Sequence, residues 1–95
     1  MRLKENMRSF FACYVKEYFP DAKVYLFGSR IDDNAKGGDI DILVISNEKL
    51  SFIDISKMRI HFHKKFGEQK VDILNFADNE EDPFKNIVLN HAIEL

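Results

Sequence analysis

Tryptophan is absent from this chain of 95 residues, while cysteine occurs once, proline twice and glycine four times. A single cysteine, Cys13, rules out a disulfide framework within the chain, and with it the stapled folds of small secreted domains. Cys13 lies inside an apolar helical pattern with no histidine near it in sequence, so it reads as a buried small hydrophobe rather than a reactive thiol. The few prolines and glycines leave no linker or low-complexity tract, and no internal repeat is present. No apolar run approaches the ~20 residues of a membrane span. The opening Met1-Arg2-Leu3-Lys4-Glu5-Asn6 leads into an amphipathic segment rather than the apolar core of a signal peptide, so a cytoplasmic protein without membrane contact is expected. Excess positive charge is missing too. The net charge is −2, without the basic stripe of a processive nucleic-acid binder, and direct binding of nucleic acid is not expected.

What is present is apolar and aromatic: 45% of residues are hydrophobic and nine are phenylalanine, enough for one compact core. Residues 1–95 read as a single domain, with little material left to hold a large substrate, so anything beyond a nucleotide would be held by a partner. Leu3, Met7, Phe10, Tyr14 and Tyr18 recur at helical spacing beside Phe11, Val15 and Phe19, predicting a helix over 3–19 that ends at Pro20. Val24 to Phe27 form a first strand, Gly28 to Gly38 a polar connection, and Asp39 to Ser46 a second strand. Ser51 and Asp54 have capping spacing and open a helix with Phe52, Ile55, Arg59, Phe62 and Phe66 along one row, Ile53 and Ile60 nearby, and Gly67 as its C-terminal cap. Lys70 to Phe76 form a third strand. Asp82-Pro83 caps a last helix over 83–94 with Phe84, Ile87, Val88 and His91 at helical spacing. The fold class is therefore α/β (α+β), ordered α-β-β-α-β-α, with a small mixed three-stranded sheet flanked by helices. A crossover helix makes strands two and three parallel, and the short connection makes strands one and two antiparallel.

This order concentrates carboxylates. Asp39 and Asp41 alternate at the start of strand two and share a face, roughly 6–7 Å apart along the chain. Two carboxylates on a face that continues with Leu43 and Ile45 are costly unless something pairs with them. A hard divalent cation such as magnesium, which keeps substrate phosphates as co-ligands, is the fitting partner. Asp72 repeats the pattern on strand three, so three aspartates would converge at one sheet edge beside the turn Gly28-Ser29. Such a cluster can hold two magnesium ions roughly 3.5–4 Å apart, with Asp72 on the nucleophile side as ligand or base. Gly28 allows a phosphate close to the backbone, Ser29 offers a hydroxyl and an N–H, and Arg30 is a further candidate phosphate contact.

Other polar residues take plainer roles. His61 and His63, two apart on a helix, do not face each other and make no metal pair. His91 reads as packed in the last helix, the acids at 78–82 as a solvated loop, and Tyr14, Tyr18 and Tyr25 as structural.

Phe27-Gly28-Ser29-Arg30 and Gly38-Asp39-Ile40-Asp41-Ile42-Leu43-Val44, with Asp72 on a later strand, resemble the minimal nucleotidyltransferases of the DNA polymerase beta superfamily. The resemblance implies the nucleotidyltransferase fold and attack of a hydroxyl on the alpha phosphate of a nucleoside triphosphate, with ATP as substrate and release of pyrophosphate. Stand-alone members resemble antitoxins paired with a helical HEPN ribonuclease toxin, to whose tyrosine they add AMP. The implied partner is thus a HEPN-type toxin or another helical substrate-binding protein. One departure stands out: Ile31-Asp32-Asp33 occupies the place where the family often carries a small residue, a second arginine and a glycine, which leaves Lys36 as the loop's stand-in cation. The rival readings are a non-catalytic module that binds nucleotide or masks a helical toxin by contact, and a small-molecule transferase subunit whose substrate domain is on another chain.

Overall fold

The computed structural model describes residues 1–32 and 38–95. Its helices are α1 (Glu5–Tyr18), α2 (Phe52–Phe66) and α3 (Pro83–His91), and its strands β1 (Lys23–Phe27), β2 (Ile40–Ser46), β3 (Val71–Ala77) and β4 (Ile93–Glu94). One sheet runs in the order β3-β2-β1-β4. As expected, β1 and β2 are antiparallel, and β2 and β3 are parallel.

The central strand β2 is apolar on both faces, as a doubly covered strand must be. Ile40, Ile42 and Val44 face α1 and α2, where they join Phe11, Val15, Leu26, Met58 and Phe62. Leu43 and Ile45 face the other way, toward Phe76 and Val88, a smaller cluster built around α3. Rings lock α1 to α2: Phe11 stacks on Phe62 at 5.2 Å, and Phe10 meets Phe66 edge-on at 5.8 Å. Each such pair adds ~0.5–1.5 kcal/mol beyond the area it buries.

Local signals set the helix ends. Ser51 Oγ accepts from Asp54 N at 3.1 Å, Asp82 Oδ1 accepts from Phe84 N at 2.9 Å with Pro83 following, and Gly67 N donates to His63 O at 2.8 Å.

Five expectations need correction. The last helix stops at His91 rather than running to 94, because Ile93 and Glu94 pair with Leu26 and Tyr25 and satisfy the open edge of β1. The sheet accordingly has a fourth strand. His91, in the final turn over the small cluster, is exposed rather than packed. Cys13 is also exposed: it lies roughly 200° around the helix from both Phe11 and Val15, which carry the buried stripe of α1. On α2 the buried row is Met58 and Phe62, while Phe52, Ile53 and Ile60 are exposed, as is Tyr18 on α1.

Candidate active site

The register of β2 brings the predicted residues to one end of the sheet. Phe27, the last residue of β1, pairs with Asp41, and Asp41 pairs in turn with Asp72 on β3. Asp39 sits one residue ahead of β2, on the same approach. Chain reversal after Phe27 falls on Gly28, which opens a single 3₁₀ turn, Gly28–Ile31. Its φ of +77° is left-handed, and a Cβ there would collide with Asp41 Oδ2. Glycine is thus required twice over, by conformation and by the carboxylate packed against it. On the far side of the connection, Gly38 (φ +94°) would place a Cβ 2.5 Å from Ser29 Oγ, so the Ser29 hydroxyl lies against the backbone that leads into Asp39.

The electrostatics are those of an anionic cluster short of cation. Partial burial, then the charges of Asp72 and Asp39, push the Asp41 carboxyl above the usual carboxylate range, against the opposing pull of Lys70. Lys70, just ahead of β3, places Nζ 3.3 Å from Asp39 Oδ2. That hydrogen bond, followed by the charges of Asp39 and Asp72, holds its ammonium above the ordinary lysine range. With Asp39 turned to Lys70, no three acidic, histidine or cysteine side chains among the described residues already enclose a metal position. The donor set nevertheless suits a hard divalent ion: carboxylates from adjoining strands, one raised by burial and by its neighbours and another already holding a cation.

Arg30, the further candidate phosphate contact, also reaches backbone. Its guanidinium donates to Arg2 O at 2.9 Å and Gly38 O at 3.2 Å, and its Nε is buried without a hydrogen-bond partner among the described residues. Arg2 answers it: its backbone N donates to Arg30 O at 2.7 Å, its Nε to Asp32 O at 2.8 Å and its Nη2 to Ser29 O at 3.1 Å. The two arginines clasp the start of the chain, the Gly-Ser turn and the entry to Asp39 into one unit. Arg30 is thus a strut for the turn, with two of its five N–H donors given to backbone carbonyls. Asp33 and Lys36 lie outside the described residues.

Neither Arg2 nor Lys70 stood out in the sequence. Lys70 did leave a trace, since it is two residues from Asp72 and shares its alternation. Arg2 left none. Replacing Arg2 by alanine removes two charge-assisted bonds to the turn. Melting should fall by a few °C, for about 1 kcal/mol lost, which thermal melts read.

The histidines go to separate neighbours. His61 packs its ring 5.4 Å from that of Tyr14, and His63 Nε2 lies 2.8 Å from Gln69 O. The acidic loop is more organised than a solvated tract, because Lys85, buried, donates to the carbonyls of Ala77, Asp78 and Glu80 at 2.9, 2.7 and 3.1 Å.

A small mixed sheet with a Gly-Ser turn set against strand-borne aspartates defines a nucleotidyltransferase domain. The chain belongs to that family: the profile of the nucleotidyltransferase domain matches residues 11–95. It is similar to the probable protein adenylyltransferase MntA of Haemophilus influenzae, 33% identical over 75 residues, which are 78% of this chain and 65% of that protein. The chain therefore spans just under two thirds of the length of that relative. Its fold matches a chain in the solved structure of the tri-AMPylated Shewanella oneidensis HEPN toxin in complex with MNT antitoxin. There the TM-score is 0.70 at 17% identity, covering 97% of this chain and 71% of that one. A chain from a mutant of the toxin–antitoxin MntA-HpeT matches with a TM-score of 0.71 at 21% identity, over 98% of this chain and 72% of that one. Among the described residues no helix is long and apolar enough to cross a membrane.

Proposed function

We propose that residues 1–95 act as one cytoplasmic, magnesium-dependent nucleotidyltransferase domain that moves AMP from ATP to a protein hydroxyl, the acceptor being a tyrosine of a helical HEPN toxin. Use of ATP and a divalent metal is general to the family. The observation that carries the reading is the register that sets Asp41 beside Asp72 with Gly28 closed against the Asp41 carboxylate. The name of the Haemophilus relative and the AMPylated toxin in the Shewanella complex support the acceptor class.

In this reading Asp39 and Asp41 hold metal, and Asp72 serves the nucleophile side. The Gly28-Ser29 turn brings backbone and hydroxyl to the triphosphate. Bound magnesium supplies charge neutralisation at the phosphates and lowers the cost of forming the attacking oxyanion. The acceptor oxygen bonds to the α-phosphorus, its proton passes to the Asp72 carboxylate, and the bond to the bridging oxygen breaks to release pyrophosphate. Arg30 steadies the turn through Arg2 O and Gly38 O.

The test is incubation with labelled ATP, magnesium and a HEPN toxin as the proposed acceptor, followed by intact-mass analysis. One or more AMP masses should appear on the partner and vanish with the Asp39→Asn/Asp41→Asn variant. A tight complex that gains no mass and survives those changes would replace the enzyme by a masking module.

A further inference from the structure

Transfer of a nucleotide requires cations on the triphosphate as well as on the carboxylates, and the described residues of the turn carry one side-chain cation, Arg30, whose terminal nitrogens face backbone. Arg30 is engaged with backbone carbonyls on both sides, and Arg2 is engaged with the carbonyls of Ser29 and Asp32. Position 32, where a second basic residue of the turn would begin to be expected, is an aspartate. Among the described residues, the side-chain cation in contact with a site carboxylate is Lys70, 3.3 Å from Asp39.

Its placement is set by the backbone rather than by chance rotation. Ile40 N donates to Lys70 O at 3.0 Å, which continues the β2–β3 ladder one step outward and puts Lys70 directly alongside Asp39. The stem is anchored to the sheet edge, yet 69% of the side chain is exposed, so the ammonium is free to exchange one anion for another. An exposed ammonium–carboxylate pair is weak, because solvent screens it. A divalent ion competing for the same oxygen would displace it readily.

Building on the nucleotidyltransferase reading above, we infer that Lys70 is a phosphate-binding residue of this site: its ammonium occupies the cation position at Asp39 while the site is empty, and passes to the triphosphate when metal takes that carboxylate. The arrangement keeps an anionic cluster partly neutralised without nucleotide, and it supplies the second basic contact missing from the turn. A flexible, strongly hydrated point charge suits a contact that must be made and released, as a rigid guanidinium fork does not.

The inference predicts effects of opposite sign on the two ligands, which a structural role for Lys70 would not produce. In Lys70→Met, Mn²⁺ alone, titrated by electron paramagnetic resonance, should bind about 2–5-fold more tightly because its competitor is gone. The non-cleavable analogue α,β-methylene-ATP, titrated calorimetrically at saturating Mn²⁺, should bind about 10–100-fold more weakly, the range for losing one charge-assisted hydrogen bond. Lys70→Arg should restore analogue binding to within about 3-fold, since the charge is kept. Lys23→Met is the control for net charge. Lys23 pairs with Ile45, four residues along the ladder from the Phe27–Asp41 pair, or about 13 Å, beyond the screening length at physiological salt. It should change neither affinity.

If Lys70→Met weakens both ligands, or leaves the analogue unchanged, Lys70 is not a phosphate contact, while the nucleotidyltransferase reading stands on wild-type binding and its loss in Asp41→Asn. If the wild-type protein binds neither Mn²⁺ nor the analogue, that reading fails and the role of Lys70 falls with it.

Discussion

Asp41→Asn is expected to melt at a higher temperature than the wild-type protein in EDTA and, on the function proposed above, to transfer AMP at least ~10²–10³-fold more slowly. The first half follows from linkage. Burial and the charges of Asp72 and Asp39 raise the folded-state pKa of Asp41 above its unfolded value. A carboxyl shifted in that direction contributes stability that is fully present below the unfolded value and is lost as pH rises through the folded one. At neutral pH the ionised Asp41 is therefore a cost to the metal-free fold. Asparagine keeps the shape and removes the charge. The carboxyl is only partly buried and its charge is screened, so the rise in Tm should be a few °C at most. Magnesium should raise the Tm of the wild type and not of the variant, because a ligand stabilises only the state that binds it. The rate loss is the range seen when a preorganised electrostatic contact to the reacting group is removed. Melts in EDTA and in magnesium, with the mass assay beside them, check each part. A variant that melts lower than wild type in EDTA would mean that Asp41 is an ordinary structural carboxylate.

The same carboxylate shows why the sequence was so readable at this point. An aspartate at the head of an otherwise apolar strand breaks the agreement between local pattern and burial, and such breaks mark functional positions. Strand order followed from connection lengths: a short polar link gave the antiparallel β1–β2 pair and a helical link the parallel β2–β3 pair. The convergence of Asp41 and Asp72 was a consequence. Less legible were contacts that depend on side chains reaching across the fold. The Arg2–Arg30 clasp joins residues 28 apart through backbone carbonyls, which carry no sequence signature. The fourth strand was hidden because Ile93 and Glu94 continue the helical spacing of α3, and only the unfilled edge of β1 selects the extended conformation. Cys13 and His91 were misplaced for one reason. An apolar helix in a small domain has only part of its circumference covered, and periodicity without a known partner face does not say which part.

Gly28→Ala should damage the site by two separable routes. At φ +77° an alanine is in the left-handed region, at a cost of roughly 1–2 kcal/mol. Its methyl also meets Asp41 Oδ2, so either the carboxylate turns aside or the turn shifts outward. The strain alone lowers Tm by about 5–15 °C. Displacement of the carboxylate relative to the turn adds a rate loss of ~10²-fold, the penalty for moving a catalytic group by about 1 Å. A double-mutant cycle separates the two routes. Asp41→Ala removes the colliding oxygen and leaves the backbone strain untouched. In that background Gly28→Ala should therefore cost less, with a coupling of at least ~0.5 kcal/mol in chemical denaturation. Additive costs would mean that the turn and the carboxylate do not press on each other, and that Gly28 is present for its φ angle alone. Coupled costs would establish that the turn and the carboxylate are built as one unit, with the missing glycine side chain as the space in which the Asp41 oxygen sits.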